Sequence, residues 1–251
     1  MLFIVLILAL LAVGAVLLWR SLGDSISGTS VAKDSIGSAG LKPHVRLTNA
    51  AGRVRVEGVE GSETVEYEAT RYAMGSDPAA AKQQASEVPV DISREDSRIT
   101  IETDGGRDTG ADYDLRMPAG GSVEVESEAG DVTVKNVGGD VNVKAPQGDV
   151  TVANVNTDTG GAELEVGSGD VLLEDLILGT LEADVEAGSV TLSGRFSGVG
   201  RIAVETGDIM ARLPAEDTRD LTLQTRVGSV LREPHAGGPD GQGSEKLKQG
   251  Q

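Results

Sequence analysis

Ser122-Val-Glu-Val-Glu-Ser-Glu-Ala-Gly130-Asp131-Val-Thr-Val134 is the stretch that decides the fold. Apolar or small residues take every second place before Gly130, and Val132 and Val134 resume the alternation after it. Period-two alternation marks strands with one buried face. Gly130-Asp131 supplies a corner, since glycine takes positive φ freely and an aspartate side chain can accept a backbone N–H in an Asx turn. The unit is therefore a strand, a corner and a second strand.

The same unit recurs along the chain. Corners fall at Gly130-Asp131, Gly148-Asp149, Gly169-Asp170, Gly188-Ser189, Gly207-Asp208 and Gly228-Ser229, in steps of 18, 21, 19, 19 and 21 residues. A period near 20 residues marks a solenoid or regular strand array. The six glycines should stack as one ladder, and a half-step copy sits at Gly139. Val45, Leu47, Gly52, Val54 and Val56 fit the template as well. Between this early copy and Gly130, Thr64 to Tyr72 reads as a strand. Asp77-Pro78 opens a short helix through Glu87, with Asp77 as N-cap. Val88 to Ser93 and Arg98 to Thr103 read as a further strand pair.

Alternation also sorts the charges. Glu124, Glu126, Glu128, Glu163, Glu165, Glu182, Asp184, Glu186 and Glu205 occupy the outward places, against the bases Lys144, Arg201 and Arg226. An acidic outer face follows, with Glu124, Glu126, Glu163, Glu165, Glu182 and Asp184 at matching offsets in successive units. That face is a candidate interaction surface and could bind divalent cations weakly. A calcium ladder at the corners is disfavoured: the Asp follows Gly directly, unlike the β-roll motif, and Ser189 and Ser229 are poor calcium ligands.

Met1 to Trp19 carries no charge. As a helix it would be about 28 Å long, close to the ~30 Å hydrocarbon core of a bilayer. Trp19 and Arg20 end it as an interfacial pair would. An uncleaved anchor over 1–20 is expected, with a cleaved signal peptide as the alternative. Residues 21–42 are rich in Gly and Ser and read as a flexible tether. Residues 43–232 form the β-repeat domain, and 233–251, rich in Gly, Gln and Lys, read as a disordered tail. Arg20, Lys33 and Lys42 follow the apolar run, so the positive-inside rule weakly favours a cytoplasmic domain.

Composition narrows the function. The chain has 251 residues, 39% apolar, with 34 glycines and only 2% aromatics. Its core must be built of Val, Leu, Ile and Ala in thin layers. It has no cysteine, which excludes disulfides, thiol nucleophiles and thiolate metal sites. A net charge of −18 argues against nucleic acid as a partner. His44 and His235 have no metal-ligand spacing, and no phosphate loop or nucleophile elbow is present. No catalytic, cofactor or metal residue is nominated. A polysaccharide-cleaving β-helix would need paired acids in a cleft walled by long loops, and aromatics to hold sugars. The turns here are short and Trp19 is the one tryptophan.

Tyr113-Asp-Leu-Arg-Met-Pro118-Ala-Gly120, followed by the V-x-V and G-D-V-x-V pattern of residues 122–134, resembles the DUF4097-type β-strand repeat family, a bacterial adhesin-like group. The resemblance covers roughly residues 43–232. It implies a right-handed parallel β-solenoid or β-roll-like stack, behind an N-terminal membrane segment and facing outward, with no family-wide catalytic residue. The expected function is a non-catalytic, membrane-anchored envelope module, structural or adhesive, with an unidentified envelope or surface partner. The alternative is a regulatory envelope component, a stress-sensing partner of another membrane protein.

Overall fold

The computed structural model describes residues 26–38, 40–75, 77–106, 108–214 and 221–234. The N-terminal part comprises β1 (Ile26–Ser38), β2 (His44–Asn49), β3 (Val54–Val59), β4 (Thr64–Met74), α1 (Pro78–Glu87), β5 (Asp91–Glu95), β6 (Arg98–Thr103) and β7 (Thr109–Pro118). The repeat follows as β8 (Ser122–Ser127), β9 (Val132–Lys135), β10 (Val141–Gln147), β11 (Val150–Ala153), β12 (Asn156–Ser168) and β13 (Val171–Ala187). It closes with β14 (Val190–Phe196), β15 (Gly200–Thr206), β16 (Ile209–Leu213), β17 (Leu221–Val227) and β18 (Val230–Pro234).

These strands build a parallel β-solenoid with two long faces. Sheet A runs β6, β2, β8, β10, the second half of β12, the second half of β13, β15, β17. Sheet B runs β7, β3, β9, β11, the start of β13, β14, β16, β18. A short third side joins them, where Ile177 and Leu178 pair with Asn156 and Thr157 and with Arg195 and Phe196. One departure from chain order matters. The β2–β3 layer is inserted between β6–β7 and β8–β9, so Ala119–Gly121 steps across a layer that was laid down earlier.

The core is the inward half of each alternation. Val132, Val150, Val171, Val190 and Ile209 form one continuous buried row on sheet B, and Val125, Val143, Leu164, Ala183 and Ile202 form one on sheet A. Side-chain volumes compensate between layers. A Cβ at Gly200 would lie 2.4 Å from the Leu221 side chain, so the glycine makes room for the larger neighbour. Burial of Val, Leu and Ile at roughly 1.5–3 kcal/mol per side chain is the main stabilising term.

The corner glycines stack. Gly52, Gly130, Gly148, Gly169, Gly188, Gly207 and Gly228 all have φ between 118° and 153°. From Gly130 onward, a Cβ on each would lie 1.9–2.3 Å from the carbonyl oxygen of the corner glycine before it. Gly139 stands outside this ladder, packed against Gly121 and Ser122 at the start of sheet A. The nine-residue spacing of Gly130, Gly139 and Gly148 is therefore not a structural repeat.

The N-terminal end departs from the parallel pattern. β4 pairs antiparallel with both β7 and β1, and β5 pairs antiparallel with β6. Helix α1 packs its Ala81 and Ala85 on Ala73 of β4, and Asp77 Oδ1 accepts the Ala79 N–H at 3.0 Å. β1 corrects the expected tether: Ile26–Ser38 is a strand where residues 21–42 read as flexible. Its polar composition hid it, because an edge strand gains most of its stability from backbone pairing and tolerates polar side chains. Gly28 is needed there, since a Cβ would lie 2.2 Å from the Lys82 nitrogen of α1. The expected anchor over 1–20 lies outside the described residues, as does nearly all of the expected tail. Among the described residues no helix is long and apolar enough to cross a membrane.

Two predictions follow from this packing. Gly188→Ala meets both a left-handed φ of 147° and a carbonyl 1.9 Å from the new Cβ. It should cost about 3 kcal/mol or more in urea unfolding. Gly61→Ala, with φ 72° and open space around it, should cost only about 1 kcal/mol. Equal effects would refute the ladder as a steric constraint. The second concerns alkali. Burial pushes the Tyr113 hydroxyl above its ordinary 10.0, and burial followed by the Asp112 carboxylate does the same for Tyr72. Folding thus favours the neutral phenols. Their stabilisation is complete below pH 10 and is lost as pH rises past their folded values. Tyrosine ionisation followed by absorbance should coincide with loss of circular dichroism, and Tyr113→Phe should move that transition.

Candidate functional site

Two registered rows of outward side chains on sheet A hold the six expected acids, and a third beside them carries Glu128, Pro146, Gly167, Glu186, Glu205 and Arg226. One of the two runs Thr100, Arg46, Glu124, Asn142, Glu163, Glu182, Arg201, Thr222. The other runs Glu102, Thr48, Glu126, Lys144, Glu165, Asp184, Ala203, Gln224. All six acids of the expected face lie here, but in register with bases. Arg46 lies 3.6 Å from Glu124 and 3.2 Å from Glu126, and His44 lies 3.6 Å from Glu124. Lys144 reaches Glu165 at 2.8 Å, and Asn142 donates to Glu163 at 3.4 Å. Arg201 reaches Glu182 at 3.1 Å and Asp184 at 3.0 Å.

The surface is thus an acidic face laced with exposed ion pairs, with Arg46, Lys144 and Arg201 standing among the seven acids of these two rows. Like charges adjoin between β12 and β13, where Glu163 stacks on Glu182 and Glu165 on Asp184. Hydrogen bonds to Asp184 and Glu165 hold the Arg201 guanidinium and the Lys144 ammonium above their ordinary values. The sequence pattern missed Arg46 and Asn142. Both sit six residues before a corner glycine, as Glu124, Glu163, Glu182 and Arg201 do. Counting from each glycine would have found them.

These rows border an open groove of about 810 Å³ on the C-terminal half of sheet A. Pro146, Gly167 and Ala203 line it with little or no side-chain bulk, and Lys144, Glu165, Asp184 and Arg201 stand at its charged margin. Among the described residues no group of three or more His, Asp or Glu is placed to hold a metal ion.

The corner acids do something other than close their own turns. Asp131 Oδ1 accepts the Asp149 N–H at 3.0 Å, Asp149 Oδ1 that of Asp170 at 2.8 Å, and Asp170 Oδ1 that of Ser189 at 2.8 Å. Asp208 Oδ1 accepts both the N–H and the hydroxyl of Ser229, which hold its carboxyl below the usual range. Each carboxylate therefore ties its corner to the next layer. A second ladder of corners went unread in the sequence: Asn136, Asn154 and Asp175 have φ of 58°, 53° and 53°, and Gly194 follows in the next layer. Asn and Asp tolerate this conformation better than other non-glycine residues.

The family model for Toastrack DUF4097 matches residues 82–233. The chain belongs to the Toastrack DUF4097 family. No curated protein matches it. Among solved structures, this Toastrack chain is similar to a "putative cell adhesion protein" from Clostridium sporogenes ATCC 15579. The two are 10% identical, with 81% of this chain and 97% of that one covered and a TM-score of 0.38. It is also similar to a "putative adhesin" from Bacteroides fragilis NCTC 9343, at 11% identity, 81% and 97% coverage and a TM-score of 0.37. A third, a "putative adhesin" from Parabacteroides merdae ATCC 43184, gives 14% identity, 82% and 96% coverage and a TM-score of 0.29.

On the Toastrack sheet A face, Arg201 is the base shared by two acids. Arg201→Gln leaves Glu182 and Asp184 beside Glu163 and Glu165 with no neutralising partner in the next layer. The variant should melt below the parent at low salt, and the deficit should shrink as NaCl screens the exposed charges. A deficit that is independent of salt would show that Arg201 acts by packing alone.

Proposed function

We propose that this Toastrack chain is a non-catalytic interaction protein of the cell envelope. It is held there by the apolar segment of residues 1–20, with its β-solenoid outside the cytoplasmic membrane and sheet A as its binding face. The observation that carries the binding face is the groove itself: small residues Pro146, Gly167 and Ala203 beside the paired charges Lys144–Glu165, Arg201–Asp184 and Arg226–Glu205. Such a surface is open along its length, so it suits an extended polymer or a partner's strand better than an enclosed small molecule. The paired charges can exchange partners with a ligand of mixed or alternating charge at little cost, because exposed ion pairs are individually weak. Net charge −18 steers the domain away from bare nucleic acid and toward cationic or mixed-charge partners.

The test uses the full chain in its native membrane. A photo-cross-linking residue at Ala203, in the groove, should give an adduct with an envelope component, and one at Thr191, on the outer row of sheet B, should not. Arg201→Glu should abolish the Ala203 adduct. Adducts from neither site, or equally from both, would overturn the binding face. The placement is read separately. The chain has no cysteine, so Glu163→Cys is a unique label site, and it should react with an impermeant thiol reagent in intact cells. Labelling only after lysis would place the domain in the cytoplasm.

A further inference from the structure

The two ends of the solenoid are finished differently. At the N-terminal end the last parallel layer, β6–β7, is covered by antiparallel β5 and β4, then by β1 and α1. β5 is short and presents Asp91, Arg94 and Glu95, which suits an edge exposed to water. At the C-terminal end β17 pairs with β15 and β18 with β16, and among the described residues no strand follows on their outer side.

The core runs out at that end before its layers are filled. Along one inward row, Val132, Val150, Val171, Val190 and Ile209 are 0–2% exposed, and Val230, next in register, is 40% exposed. On sheet A, Leu223 is only half-buried where Ile202 is fully buried. The end is a half-built layer that offers two unpaired strand edges and apolar side chains awaiting a next layer.

We infer that a second copy of this chain covers this end, in a closed tail-to-tail dimer that pairs the β17–β18 layers of two molecules. Three observations select that occupant. The missing layer must supply strands with inward apolar residues at alternate positions, and β17–β18 of another copy has that pattern. The opposite end is closed by antiparallel strands and a helix, so head-to-tail stacking into a filament is blocked. Two open ends meeting across a two-fold axis close the assembly. The charge is also favourable. In a chain of net charge −18, residues 221–234 hold Arg226 and Arg232 against the single acid Glu233. Arg226 is paired internally with Glu205 and Glu233 with Arg212, and Arg232 donates to the Leu221 carbonyl. Like copies therefore meet where their mutual repulsion is least.

The contact is small. Strands of about 24 Å in two sheets ~10 Å apart give an end face on the order of 500 Å² per copy with side chains included. That is about 1,000 Å² in total, at the lower limit for a specific interface. The dimer is thus a weak one, and it forms when copies are concentrated. β17 also contributes Gln224, Thr225 and Arg226 to the margin of the sheet A groove, so the two proposals are separated by their variants, Arg201→Glu for the groove and Val230→Asp for the end.

The test is disulfide cross-linking of the full chain in its native membrane, in which every cysteine is an introduced one. Gln224→Cys and Leu231→Cys should each form a covalent dimer under mild oxidation, and Ser93→Cys on β5 should not. Val230→Asp places a charge in the unfilled layer and should reduce the Gln224→Cys dimer about tenfold or more. Its melting temperature reports whether the fold is intact, and Leu223→Lys, at the other inward position of the layer, serves the same purpose if Val230→Asp is unstable. Absence of dimer from both end positions would overturn the proposal. So would equal dimer from Ser93→Cys, or dimer unaffected by the charged variants. If Gln224→Cys resists maleimide yet gives no dimer, residues 235–251 or another partner occupy the end, and the second copy is excluded.

Discussion

The approach of one corner to the next governs this molecule. Strands in neighbouring layers must come within hydrogen-bonding distance all the way around the turn, and at the turn the backbone has no room for a side chain. Gly188 faces the Gly169 carbonyl where a Cβ would stand 1.9 Å away, and the same geometry recurs from Gly130 to Gly228. With glycine there, each corner can nest on its neighbour. The corner amides then find carbonyls one layer away, as Gly169 N–H does on Ala187 and Gly188 N–H on Thr206. Buried backbone groups are thereby satisfied without any long loop. Register on both sheets follows, because a stack pinned at its corner cannot slip by one residue without turning every valine outward.

The unequal steps of 18 to 21 residues are absorbed away from that pinned edge. Between β9 and β10 the chain crosses with Asn136–Asp140, whereas between β11 and the paired half of β12 it spends Asn154–Gly161 on the third side. Leu176, Leu178 and Phe196 fill this side where the longer crossings pass. Length variation is thus confined to one side of the solenoid, and sheets A and B keep their rows unbroken.

Much of this was legible in the sequence because the glycine corner and the period-two alternation are local signals. Helix α1 was legible for the same reason, through Asp77 and Pro78. What escaped reading depends on pairing between distant segments. β1 has a tether's composition, and it is a strand because ten of its residues register with β4. The insertion of β2–β3 between two later layers leaves no trace in local pattern. Arg46 escaped the charge count on sheet A because only the insertion of the β2–β3 layer beside β8 brings it against Glu124 and Glu126. The role of the corner acids was misread similarly: an Asx turn is local, but Asp131, Asp149 and Asp170 each bond a residue 18 to 21 positions ahead.

That forward reach is one half of a tie between each corner and both of its neighbours. Asp131 completes the corner at Asp149 and Asp170 the one at Ser189, while the glycine amides are bonded by the layer that follows, Gly148 N–H to Ser168 and Gly169 N–H to Ala187. A corner is therefore whole only between two neighbours: removing the layer before it exposes the amide its aspartate bonded, and removing the layer after it exposes the glycine amide. In a repeat array whose stability is a sum of neighbour contacts, interior corners are held from both sides and end corners from one, so fraying begins at the ends.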